Sequence, residues 1–189
     1  MSQLATEDPR MTIIKYETPK DELHKFGSHT TGRLLIFLAG PTVRGNQPHL
    51  TSWRRQAEEE FSNQGFDGNL IVPEFTDPRE SDQYRYDIPE WEFEGLTLAD
   101  AILFWVCRTR ELIGLTTNYE FGYWTARQRS KVVYGRPNDA YRVKYTDIMW
   151  KLDATENGEI TALPPPPVYE TLPDVVTAAI NLAKERARQ

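Results

Sequence analysis

The stretch LLIFLAGP at residues 34–41 is a continuous apolar run that ends in glycine and proline. A short apolar run that is closed by turn residues is typical of a strand buried on both faces of a parallel sheet. A helix is predicted directly after it, capped by Thr51 or Ser52, with an apolar residue at every fourth position up to Phe61. This pairing of a buried strand with an amphipathic helix predicts an α/β fold.

The same alternation of strand and helix continues downstream. Strands are predicted at 69–73, 101–106 and 131–135, and helices at 89–99 and 117–129. Strands that alternate with helices of this length form right-handed βαβ units and a mainly parallel sheet flanked by helices. Ligands of such sheets bind beyond the carboxyl ends of the strands, so the loops after these strands are the candidate sites.

The two ends of the chain differ from this core. Residues 1–30 are polar and interrupted by proline and glycine, so we expect a tail or a dimer arm, although the β-prone patch 12–16 can add an edge strand. Residues 31–189 are predicted to form a single domain. Beyond the last of these strands we expect a helix over 139–150 and a final helix that starts with a capping box at Thr171.

The composition is that of a globular protein, with 39% hydrophobic and 26% charged residues. Its 22 basic and 28 acidic residues give a net charge of −6, which disfavours duplex nucleic acid as a partner because such binding depends on neutralising phosphates. A single cysteine, Cys107, allows no intrachain disulfide and no Cys/His metal cluster. Neither a signal peptide nor a membrane-spanning run is recognisable, so we expect a cytoplasmic protein without a membrane partner.

The loop after the first of these strands contains Gly40, Pro41, Thr42 and Arg44. Backbone N–H groups in a turn of small residues before a helix, together with an arginine, can hold a phosphate or sugar hydroxyls. The loop lacks the GxGxxG and Walker patterns. A tight turn with a solvated arginine explains the same residues equally well, and both interpretations stay open here.

Glu92 is a candidate general acid. It lies between Trp91 and Phe93 in the predicted helix before strand 101–106, and these aromatic neighbours can desolvate its carboxyl group and raise its pKa. Asp100 lies at the end of the same helix. For Asp100 a structural role at the start of the strand is favoured over a catalytic one.

Glu120 lies just after the same strand, at the start of the predicted helix 117–129. One interpretation is structural, because Thr117 and Glu120 have the spacing of a capping box. The other is catalytic, because the start of a helix can hold a nucleophilic carboxylate ionised and directed into the crevice. Of two carboxyl groups at neighbouring strand ends, one can then act as the acid and the other as the nucleophile.

Taken together, these segments resemble the nucleoside 2-deoxyribosyltransferase-like family over about residues 34–150. The matching motifs are, in order, IFLAGPT at 36–42, SWR at 52–54, VPE at 72–74, WE at 91–92, LAD at 98–100, FW at 104–105, TTNYEFG at 116–122 and VYG at 133–135. The resemblance implies an α/β flavodoxin-like three-layer sandwich that acts on the N-glycosidic bond of nucleosides or their 5′-monophosphates.

The resemblance also implies roles for individual residues. Glu120 takes the place of the nucleophile that attacks C1′ of the sugar, and Glu92 that of the acid that protonates the leaving base, which another base or water then replaces. The implied substrate-binding residues are Gly40, Pro41, Thr42, Arg44, Trp91, Asp100, Thr117 and Asn118. No metal or organic cofactor is implied. A homodimer or a larger homo-oligomer is expected, because sites in this family are typically completed by a neighbouring subunit.

Two positions depart from the family pattern. Glu92 stands where the transferases usually carry aspartate, and Gly114, six residues before Glu120, stands where aspartate or serine is usual. These departures keep open a non-catalytic module that binds or senses a nucleotide. A long loop at 75–88, rich in aspartate and tyrosine, keeps open a glycohydrolase of a larger ligand such as a dinucleotide.

Overall fold

The structure is a computed structural model of the chain. It describes residues 10–44, 46–47, 49–77, 79–80, 87–152, 155–156, 159–160 and 166–188.

A parallel sheet of five strands forms the middle layer of the described structure. The strands are β1 (Met11–Ile14), β2 (Leu34–Ala39), β3 (Gly68–Ile71), β4 (Ala101–Trp105) and β5 (Val132–Gly135), in the spatial order β1-β3-β2-β4-β5. The order β3-β2-β4-β5 is that of a flavodoxin-like doubly wound sheet, to which β1 is added at one edge. The predicted α/β flavodoxin-like sandwich is therefore confirmed.

Helices cover both faces of this sheet. They are α1 (Ser28–Thr31), α2 (Trp53–Asn63), α3 (Ile88–Leu98), α4 (Leu115–Gln128), α5 (Lys144–Leu152) and α6 (Leu172–Arg186). Apolar side chains of α2 and α6 form one core with the sheet, and those of α3, α4 and α5 form the core on the other face. The predicted caps of α2 and α6 are confirmed, since Ser52 accepts a hydrogen bond from the Arg54 N–H and Thr171 accepts one from the Asp174 N–H.

The described part of the polar segment 1–30 packs against this body. Strand β1 pairs in parallel with β3, and it is followed by a 3₁₀ helix, Lys20–Phe26, and by α1. The side chains of Ile14 and Leu23 are buried. Residues 1–9 lie outside the described residues. The division of the chain at residue 30 stays a prediction.

Two short strands, β6 (Thr155–Glu156) and β7 (Glu159–Ile160), form a separate antiparallel pair after α5. Among the residues that the structure describes, none of the helices combines the length and the apolar character needed to cross a membrane.

Candidate active site

Glu92 and Glu120 meet between α3 and α4. Helix α3 leads into the amino end of β4, so its first turns lie towards the carboxyl ends of the strands, and α4 begins beyond the carboxyl end of β4. Both carboxyl groups line one cleft of about 260 Å³, together with the aromatic rings of Phe93, Tyr119 and Tyr123. Hydrogen bonding between the two carboxyl groups lowers the pKa of Glu92 and raises that of Glu120, as expected when one proton is shared between them.

The surroundings of the pair favour retention of that proton. Burial is the main cause that raises the pKa of Glu120 to about 8, and the negative charge of Glu92 raises it further. Burial also raises the pKa of Glu92, whereas hydrogen bonding by Tyr16 and the charge of Arg54 lower it. Two close carboxylates cannot both ionise easily, so the pair shares one proton near neutral pH. A pair in this state can supply an acid and a nucleophile at once.

The hydroxyl of Tyr16 donates a hydrogen bond to Oε1 of Glu92. Tyr16 follows β1 directly, and its ring lies 4.9 Å, centroid to centroid, from the rings of both Phe75 and Trp91. The Trp91 indole N–H in turn donates to the carbonyl of Thr18 at 2.8 Å. Trp91 is only 4% exposed, so the structure places this predicted substrate-binding residue in the core behind Glu92.

Arg54 is the buried cation of the site. Its guanidinium donates to the carbonyls of Leu38 at 3.0 Å and Gly40 at 2.9 Å, and it forms an ion pair with Glu74 at 2.9 Å. Its positive charge lowers the pKa of both Glu92 and Glu120, although less than burial raises them. Arg54 therefore ties the end of β2 to α2 and partly offsets the negative charge of the pair.

The loop after β2 is held close to the sheet. Gly40 has a φ of 154°, and a Cβ atom at this position would lie 2.4 Å from the carbonyl oxygen of Trp105. The Pro41 carbonyl accepts from the Trp53 indole at 3.0 Å, and Thr42 Oγ1 accepts from Arg54 at 3.2 Å. Arg44 is exposed beyond this anchored part of the loop.

The start of α4 differs from the sequence prediction. The helix begins at Leu115, two residues earlier than predicted, and its N-cap is Gly114 with a left-handed φ of 58°. Thr117 is buried inside the first turn, and no side chain caps the helix. The capping-box interpretation of Glu120 is therefore wrong. A Cβ atom at residue 114 would lie 2.8 Å from Pro41 Cγ, which explains why glycine occupies this position.

Two predicted binding residues lie away from the carboxyl pair. Asn118 faces the other side of α4, where its Oδ1 accepts a hydrogen bond from Arg108. Asp100 lies at the amino end of β4, where it accepts from the Ser28 hydroxyl at 2.7 Å and from the Leu35 N–H at 2.8 Å. Asp100 thus has the structural role that its place in the sequence favours.

Tyr16 and Arg54 also belong to the site, although no pattern in the sequence marks either of them as a site residue. The contact of Tyr16 with Glu92 joins residues 76 positions apart and depends on the pairing of β1 with β3, which no local pattern reveals. Arg54 follows a helix cap, where an arginine is usually solvated. Its only signal in the sequence is its place in the SWR motif of the resemblance.

The described residues contain no group of three or more metal-binding side chains. Residues 81–86, in the middle of the loop 75–88, lie outside the described residues. That this loop leaves the cleft wide enough for a larger ligand therefore stays a prediction.

Comparison with known proteins finds a family match. The model of a family described as nucleoside 2-deoxyribosyltransferase like matches residues 33–138, which is more than half of the chain. The matched range includes β2 to β5, the loop after β2 and both glutamates, whereas β1 and Tyr16 precede it. A search of curated proteins finds no match.

Proposed function

Because the chain belongs to the nucleoside 2-deoxyribosyltransferase-like family, we propose that it cleaves the N-glycosidic bond of nucleosides or their 5′-monophosphates and passes the sugar to another base or to water. The observation that carries the proposal is the interacting pair of Glu92 and Glu120, which line the same cleft. Glycoside chemistry through a covalent intermediate needs two carboxyl groups in different protonation states, and the shared proton of this pair supplies them.

In the first step, an oxygen of ionised Glu120 attacks C1′ of the sugar. The bond from C1′ to the base nitrogen breaks, its electron pair goes to the base, and the proton of Glu92 neutralises the leaving base. In the free protein, Tyr16 and Arg54 favour negative charge on Glu92. The proton therefore has to pass from Glu120 to Glu92 before attack, and the hydrogen bond between the two carboxyl groups is the direct path.

In the second step, a nitrogen of another base or a water oxygen attacks C1′ of the glycosyl ester. Glu92, now ionised, takes the proton of the attacking group, and the bond between C1′ and the Glu120 oxygen breaks. Both carboxyl groups return to their starting states. Whether a base or water attacks depends on how well the closed site excludes water.

The lining of the cleft supports a nucleoside as the substrate. Phe93 and Tyr119 line this cleft, with 47% and 77% of their surface accessible. Exposed aromatic rings beside a reactive pair offer flat faces on which a base can stack. Arg44 is the exposed cation of the loop after β2, and we propose that it contacts the 5′-phosphate when the substrate is a monophosphate.

A nucleotide-sensing module without catalysis is the second candidate. One observation favours it: Gly114 presents no side chain where the family pattern has aspartate or serine, and Pro41 leaves no room for one. A sensor would bind a nucleotide and form no free base over a long incubation.

The test incubates the protein with a panel of deoxynucleosides and their 5′-monophosphates, with and without a second base. Chromatography then measures the released and the exchanged base. We expect base release or exchange with the natural chain and a loss of at least about a thousandfold in Glu120→Gln, because the nucleophile is then missing. Glu94→Gln, on the same helix as Glu92 but outside the cleft, is the matched control and should keep its activity. No turnover of any substrate, with saturable binding of one of them, would favour the sensor.

A further inference from the structure

We propose that a second cleft, between α4 and α5, binds a small organic anion through Arg108. This cleft has a volume of about 360 Å³ and lies on the face of α4 opposite to the carboxyl pair. Asn118, Phe121 and Thr125 of α4 line it, whereas Thr116, Glu120 and Tyr123 of the same helix line the cleft of the glutamates. The inference goes beyond the proposed function and does not depend on it.

The first observation is a buried cation that has no carboxylate partner in the described part of the chain. Arg108 is only 6% exposed, and burial lowers the pKa of its guanidinium. One of its N–H groups donates to Asn118 Oδ1, but its buried Nε has no hydrogen-bond acceptor among the described residues. Among the described residues, no carboxylate forms an ion pair with Arg108. A buried guanidinium that is only partly hydrogen-bonded is costly, so Arg108 is suited to binding an anion.

The second observation is a glycine in the middle of α4. Gly122 lines the same cleft, and a Cβ atom on it would have no other atom within 4 Å. Glycine inside a helix costs about 1 kcal/mol relative to alanine, and here no neighbouring side chain requires it. A glycine at such a position leaves the helix backbone open to a close approach by a ligand.

The lining indicates the chemistry of the ligand. Arg108, Asn118 and the exposed Arg142 provide hydrogen-bond donors, and Phe121 and Met149 provide apolar walls. A guanidinium binds carboxylate and phosphate groups in the same fork geometry. The expected ligand is therefore a small molecule with one phosphate or carboxylate group and a flat apolar body.

The test uses phenyl phosphate, benzoate and inorganic phosphate as probes, with phenol as the neutral analogue, and measures binding to the full chain by calorimetry. We expect the aromatic anions to bind more tightly than phenol. Arg108→Gln should weaken this binding at least about tenfold, because a charge-assisted hydrogen bond is lost. Comparison of phenyl phosphate with benzoate then distinguishes a phosphate ligand from a carboxylate ligand.

Filling the cleft provides a second test, which does not remove the buried arginine. Gly122→Leu places a side chain into open space, so the fold should persist, which circular dichroism checks, and binding should again fall at least about tenfold. Lys184→Gln on α6 removes the same charge on the opposite side of the sheet and should bind as the natural chain does. Glu120→Gln should also bind normally, because its cleft is a different one.

Three results would overturn the proposal. One is the absence of binding by all anionic probes in the natural chain. The second is unchanged affinity in folded Gly122→Leu. The third is a loss in Glu120→Gln as large as that in Gly122→Leu, which would place the anion in the cleft of the glutamates.

Discussion

The hydroxyl of Tyr16 contacts the carboxyl pair from outside the family-matched part of the chain. It donates to the same carboxyl group that we assign as the acid, and the rings of Phe75 and Trp91 hold it in place. Donation to a carboxylate stabilises its ionised form, so Tyr16 orients Glu92 and lowers the pKa of Glu92. At the scale of single residues, we therefore expect this hydroxyl to influence which of the two carboxyl groups, Glu92 or Glu120, carries the shared proton.

Tyr16→Phe tests this balance, since it keeps the packed ring and removes only the donor. We expect kcat/KM to rise, by up to about tenfold, because without this hydrogen bond the shared proton lies more often on Glu92, the arrangement that attack by Glu120 requires. Because the lost bond had lowered the pKa of Glu92, the acidic limb of the pH profile should move to higher pH. Tyr169→Phe, away from the pair, is the control. A profile with unchanged limbs in Tyr16→Phe would show that the hydroxyl does not act on the pair.

At the scale of elements, the sequence predicts the alternation of strands and helices well, because β2 and β4 are continuous apolar runs and the helices carry periodic apolar faces. It predicts the start of α4 two residues late, because the turn at Gly114 is set by contact with Pro41, 73 positions away in the chain. It identifies Glu92 and Glu120 as separate candidates. Their direct hydrogen bond depends on the packing of α3 against α4, which no local pattern encodes.

Gly114→Ala tests the junction between the loop after β2 and α4. Gly114 and Gly65 both have left-handed φ values, of 58° and 67°, but only the Cβ atom at 114 would meet another residue. Both alanine variants should therefore lose about 1 kcal/mol of unfolding free energy from backbone strain. Gly114→Ala should lose about 1–3 kcal/mol more from overpacking and should also lose activity, because the contact with Pro41 displaces the start of α4. Urea unfolding and the base-release assay measure both effects. Equal stability losses and full activity in both variants would contradict a special role of the contact between residue 114 and Pro41.

At the scale of the whole molecule, several large apolar side chains of α4 and α5 are exposed. Leu115, Tyr119, Tyr145 and Leu152 are 74%, 77%, 74% and 59% exposed, and they belong to α4 and α5. An exposed apolar surface of this kind is typical of an interface between proteins. These exposed residues motivate the expectation that the chain forms a homodimer or a larger homo-oligomer. The cytoplasmic location stays a prediction.

Light scattering on the purified protein tests the oligomer. We expect at least the mass of a dimer for the natural chain and a shift toward the monomer in Leu115→Lys, because a charge at the interface is costly to bury. Asn181→Lys adds the same charge on α6, on the other face of the sheet, and should leave the mass unchanged. A monomer at all concentrations in the natural chain would contradict the expected assembly.

The central claim is that Glu120 forms a covalent bond to the sugar, and mass spectrometry of a trapped intermediate tests it most directly. Fluorine at C2′ of a nucleoside withdraws electrons from C1′ and slows the second step, so the glycosyl ester should accumulate. We predict a mass gain equal to the fluorinated sugar on the peptide that contains Glu120, and no gain in Glu120→Gln. Attachment of the sugar to Glu92 or to another residue, or base release without any adduct, would contradict the claim.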